Sequence, residues 1–108
     1  MLDELLILKK IKEGDIKAFE ELFRRYYFPL CCNAAGITGQ MAVAEEIVEE
    51  LFYVLWKERE RLQIFQSVKS YLYRATRNQS LQYCEHEQVR NSRQILINRW
   101  SMRNYRNS

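Results

Sequence analysis

Apolar residues recur along most of this chain at i, i+3, i+4 and i+7, the spacing of one helix face. The pattern is most regular between Ala44 and Trp56, where Ala44, Ile47, Val48, Leu51, Phe52, Leu55 and Trp56 share a stripe. Glu45, Glu46, Glu49 and Glu50 fill the opposite side. Like charges at i,i+4 repel by a few tenths of a kcal/mol per pair, so Glu45–Glu49 and Glu46–Glu50 work against the helix. Such a ridge is either a solvated acidic face or a surface offered to a basic partner.

The remaining pattern also reads as helices. A short first helix is expected through residues 2–13, with Leu2, Leu5, Leu6 and Ile11 inward; Gly14 stops it. Asp15 then caps a second helix that buries Ala18, Phe19, Leu22, Phe23, Tyr26 or Tyr27, and Leu30. Pro29 predicts a kink there. The second helix is expected to end at Gly36, with residues 37–40 as the turn and Thr38 capping the third helix. The acidic helix runs to about Lys57–Arg61, and a loop covers roughly residues 61–66. Ser67 caps a fourth helix through Glu87, with Val68, Tyr71 or Leu72, Ala75 and Gln79 inward and Lys69, Tyr73, Arg74, Arg77, Asn78 and Gln82 outward. Residues 88–108 read as a basic linker or tail, at most a weak helix, docked or frayed.

Composition narrows the class. The 108 residues hold one Pro and three Gly, which favours long helices over a many-turned sheet, and 47% hydrophobic residues argue a packed core. The expectation is a single all-α domain, a compact bundle of three to four main helices. No apolar run approaches the length of a membrane span, and the start lacks the pattern of an export signal. Three thiols without such a signal point to a reduced, cytoplasmic protein. Cys31, Cys32, Cys84 and His86 have no paired ligand spacing, so neither a metal nor a cofactor is expected.

Charge is split along the chain. Residues 1–65 carry nine Lys and Arg against twelve Asp and Glu, whereas residues 66–108 carry eight against two. Seven of those eight are Arg, the better side chain for phosphate forks and base stacking. Two surfaces for two partners follow, the basic one suited to a polyanion. His86 lacks an evident nucleophile and no phosphate-binding glycine loop exists, so catalysis is not expected. Aromatic rings at Phe65, Tyr71 and Tyr73 among Arg74, Arg77, Asn78 and Gln82 suit single-stranded nucleic acid, although the same pattern fits a core tyrosine beside solvated arginines.

The helix at residues 18–27, the acidic helix and the segment 67–83 (SVKSYLYRATRNQSLQY) stand in an order and spacing that resembles region 2 of extracytoplasmic-function sigma factors. The resemblance covers about residues 5–87 and implies a promoter-specificity module of bacterial RNA polymerase. It implies that Glu45, Glu46, Glu49, Glu50 and Tyr53 dock on the clamp helices of the largest polymerase subunit. Val43, Glu46 and Glu49 depart from the Asp, Asp and Gln usual in the family. It further implies that Gln63, Ile64, Phe65 and Gln66 form a pocket for a flipped base, and that Lys69, Tyr71, Tyr73, Arg74, Arg77 and Asn78 grip the non-template strand of the promoter −10 element. An anti-sigma factor is implied as a further partner, with no membrane insertion. Nothing after Glu87 resembles the −35-reading domain of such proteins. The competing reading is a helical interaction module, a truncated or degenerate sigma remnant that binds a protein and not DNA.

Overall fold

The computed structural model describes residues 3–63 and 67–106, with side chains described as far as residue 101. Among the described residues four α-helices follow one another: α1 (Glu4–Lys12), α2 (Ile16–Thr38), α3 (Met41–Lys57) and α4 (Val68–Arg106), with a 3₁₀ turn at Arg59–Arg61 between the last two. The expected all-α bundle is the fold.

Each boundary has a local cause. The Asp3 side chain accepts from Leu5 N–H at the start of α1. At Gly14 a φ of +90° turns the chain, a conformation that favours glycine. Asp15 then accepts from the N–H groups of Lys17 and Ala18 at 3.0 and 3.2 Å, the expected cap. α2 runs unbroken through Pro29 and past Gly36, ending at Gly39, whose φ of +76° allows its N–H to reach Ala35 C=O. The expected stop at Gly36 was therefore one turn early. Thr38 does not cap α3 either: its hydroxyl donates to Ala34 C=O at 2.9 Å within α2, and Gln40 is the cap residue, without a side-chain bond. Ser67 caps α4 as expected, accepting from Ser70 N–H at 3.3 Å.

The core forms where α2 meets its three neighbours. Leu22, Leu30, Cys31 and Ala34 of α2 are buried with Ala44, Val48, Phe52 and Leu55 of α3 and with Val68 and Leu72 of α4. Phe19 and Phe23 pack edge-on to Phe52, with ring centroids 6.1 and 5.0 Å away. The acidic helix turns inward the stripe that its sequence spacing predicts.

α1 and α4 differ from expectation in which residues they bury. α1 turns Ile7, Leu8 and Ile11 inward and leaves Leu5 and Leu6 exposed. In the run Leu5–Leu8 every residue is apolar, so alternation cannot mark a face; contact with α2 chooses it. α4 buries Thr76 and Ser80 where Ala75 and Gln79 were expected. Four-residue steps from Val68 through Leu72 reach Thr76 and Ser80, and their polarity hides that face from a hydrophobic pattern. Beyond Glu87 the described residues are a direct continuation of the fourth helix. α4 continues to Arg106, and from Val89 to Ser101 every side chain is exposed, extending the molecule to 69 Å along its long axis.

Candidate polymerase-docking and nucleic-acid surfaces

α3 presents its outward side as an acidic ridge. Glu45, Glu46, Glu49 and Glu50 are all exposed, and Tyr53 stands among them at 60% exposure. Glu49 Oε1 accepts from the Tyr27 hydroxyl at 3.1 Å, so a residue of α2 fixes the middle of the ridge. Burial, and then this bond to a carboxylate, push the Tyr27 phenol well above its ordinary pKa. No ion pair among the described residues involves any of the four glutamates; the pairs present are Arg25–Glu4, Arg25–Glu21, Arg61–Glu58 and Arg90–Glu87. The ridge therefore keeps its like charges without an internal cation.

The first half of α4 presents the basic surface. Tyr71, Arg74 and Asn78 fall at i, i+3 and i+7 on the side turned away from Leu72 and Thr76, and all three are exposed. Lys69, Tyr73 and Arg77 form a second strip at i, i+4 and i+8. Tyr73 is half-buried and packs against the core, so Tyr71 is the more available ring of the two. Lys69, Arg74 and Arg77 take part in none of the ion pairs among the described residues. Leu81 continues the Arg74–Asn78 face at 43% exposure, an apolar position that charge counting passed over.

The loop between these surfaces is held from one side. Leu62 is buried and Gln63 exposed. The Arg59 guanidinium lies 4.4 Å from the Trp56 ring centroid and donates to Trp56 C=O at 2.9 Å, tying the 3₁₀ turn to the end of α3. Ile64, Phe65 and Gln66, the rest of the expected base pocket, lie outside the described residues.

The thiols build no site. Cys31 is buried, its pKa raised by that burial; Cys84 donates to Ile37 C=O at 3.5 Å; Cys32 is exposed. Among the described residues no group of three or more His, Cys, Asp or Glu stands close enough to hold a metal ion, and no helix is long and apolar enough to cross a membrane.

The family model described as Sigma-70 region 2 matches residues 22–90, which takes in most of α2, all of α3 and the packed half of α4. The chain belongs to the sigma-70 region 2 family. A solved structure supports the fold of this region 2 chain: an engineered region 2 of sigmaE, determined by NMR in complex with GTAAAA. It superposes with a TM-score of 0.70 at 21% identity, over 82% of this chain and 93% of the other. No curated protein matches the chain. In sequence order, the region 2 match takes in both the acidic ridge and the Tyr71–Asn78 face, and it ends at residue 90, where the exposed part of α4 begins.

Proposed function

We propose that this chain is the region 2 module of an extracytoplasmic-function sigma factor. Its α3 ridge docks on RNA polymerase core through Glu45, Glu46, Glu49, Glu50 and Tyr53, with the clamp helices of the largest subunit as receptor. The Tyr71–Arg74–Asn78 face of α4, flanked by Lys69, Tyr73 and Arg77, holds the non-template strand of the −10 element, with Gln63 to Gln66 taking the flipped base. It is a binding module with no chemistry of its own. An anti-sigma factor that covers either surface would restrain it.

One observation carries the reading: two oppositely charged surfaces on separate helices, neither tied to the other by an ion pair among the described residues. A remnant that had lost DNA work would have no use for cations held clear of acids on an aromatic-bearing face. The bound GTAAAA of the engineered sigmaE region 2 supports an oligonucleotide as the ligand of this fold. Extruding a base costs a few kcal/mol, and each stacked base returns about 1–3 kcal/mol.

Reversal of the ridge (E45K, E46K, E49K, E50K) is expected to abolish pull-down of polymerase core while the circular dichroism spectrum stays helical. Retained pull-down would sink the docking assignment. R74A/R77A is expected to weaken binding of a single-stranded −10 oligonucleotide and to make the slope of log K against log salt shallower by about 1.4, two phosphates' worth. An unchanged slope removes both arginines from the contact surface.

A further inference from the structure

The half of α4 beyond Glu87 offers a surface that neither the core nor the strand-binding face uses. Val89, Leu96 and Trp100 project from it at 51%, 64% and 67% exposure. They share a stripe with Arg93, because 89, 93, 96 and 100 stand at i, i+4, i+7 and i+11. A helix of this length without tertiary contacts is marginal in water. A partner that covers the stripe would make it stable.

Charge selects that partner. Arg90, Arg93, Arg99, Arg103 and Arg106 lie in this arm, and residues 88–108 hold no acid. Two arms paired with each other would set arginine against arginine, so the occupant must be acidic. It must also be a helix face with an apolar spot in the same register.

α3 is such a face. Ala42, Glu46, Glu49 and Tyr53 repeat the i, i+4, i+7, i+11 spacing of the arm, all four are exposed, and both stripes run about 16 Å. The ring of Tyr53 ends one stripe as the ring of Trp100 ends the other. The arm continues α4 as one helix, and its side chains from Val89 to Ser101 are exposed and not packed on the bundle, so the ridge it can reach belongs to another molecule. We infer that the arm of one copy docks on the α3 ridge of a second copy, and that the exchange is reciprocal, giving a two-fold dimer held by two arm–ridge contacts. In that dimer the ridge is covered, so self-association and polymerase docking exclude each other. Only this last consequence rests on the function proposed above; the assembly does not.

Sedimentation equilibrium of the full chain tests it. The expected result is twice the 13.1 kDa monomer mass at about 0.1 M salt and monomer at about 1 M, where the screening length falls from roughly 10 to roughly 3 Å. R93E/R99E and E46R/E49R are each expected to be monomeric at the lower salt. An equimolar mixture of the two is expected to recover the doubled mass, since each arm then faces a ridge of opposite sign; mere misfolding of a variant would not be rescued by mixing. A wild-type chain that stays monomeric at low salt overturns the inference, as does a dimer indifferent to both reversals or a mixture that remains monomeric. A monomeric chain whose R93E/R99E form loses oligonucleotide affinity would overturn it in favour of a nucleic-acid role for the arm.

Discussion

From Val68 to Ser80, α4 buries a residue at every fourth position, whereas from Val89 to Ser101 the same helix buries none. Backbone geometry is continuous across the two halves, and both hold apolar residues, yet only the first lies against α2. Helical form is thus a weak guide to where the energy of this fold resides. What separates the halves is contact, and contact makes the first half a platform with a defined outward face. The second half is open to solvent all round from Val89 to Ser101 and gains a defined face only from a partner.

The contrast is most sharply tested at equivalent leucines. Leu72 is fully buried in the core cluster. Leu72→Ala is expected to cost about 2–5 kcal/mol, because the lost methyls leave a cavity that neighbouring helices close only in part. Urea unfolding would read this as a lower midpoint with an unchanged slope. A cost below about 1 kcal/mol would mean that α4 is held by something other than packing on α2.

A second tie sits midway along α2, where Tyr26 donates a hydrogen bond to Glu4 and Arg25 lies 3.9 Å from the same carboxylate. Burial, and then the bond to Glu4, raise the Tyr26 phenol to about 12. A raised pKa means that the neutral phenol is favoured in the folded state. Its contribution is whole below the ordinary value of about 10 and disappears as pH climbs through about 12. Thermal melts across that window should fall more steeply with pH for the native chain than for Tyr26→Phe. Parallel curves would show that Glu4 and Tyr26 do not hold α1 on α2 in solution.

These same elements show what the sequence could reveal. Asp15 was legible as a cap because capping is local: its oxygen needs only the N–H groups two and three residues ahead. The α3 stripe was legible because its apolar and charged residues separate cleanly, and the ridge came with it. The end of α2 was not, since Gly36 and Gly39 are equal as letters and only Gly39 adopts a positive φ. On α4 the charge excess pointed to Arg74 and Arg77, and Val68 and Leu72 were legible as the first half of the buried face. Its second half is Thr76 and Ser80, and no hydrophobic pattern announces a polar residue that tertiary contact will enclose. The half-burial of Tyr73 and the exposure of Tyr71 follow from that same rotation.

Thr76 gives that rotation a measurable cost. Ser80 satisfies its hydroxyl by donating to Thr76 C=O at 2.7 Å, but Thr76 Oγ1 is buried with no partner. A buried hydroxyl without a bond costs about 1–3 kcal/mol, and valine has nearly the same shape without it. Thr76→Val is expected to raise stability by about 1 kcal/mol and to leave oligonucleotide binding unchanged, as the residue faces the core. Destabilisation would mean that the hydroxyl is bonded in solution and that the packed half of α4 is wetter than its surroundings suggest.

The smallest effect belongs to the other leucine. Leu96 stands one stripe position before Trp100 and is 64% exposed, so its methyls lose little water-accessible area when the chain folds. In the monomer, held at about 1 M salt to suppress charge-driven association, Leu96→Ala should change stability by less than about 0.5 kcal/mol, the range of a surface position. Alanine is the better helix former, so even the sign of that small change is open to propensity. The same substitution read at low salt and high protein concentration has a different meaning. There a loss of several-fold in self-association, with monomer stability untouched, would place the energetic role of the arm in contact between molecules and not in the fold. A large loss of monomer stability would instead show that the arm lies on its own bundle, and the two halves of α4 would no longer differ in kind.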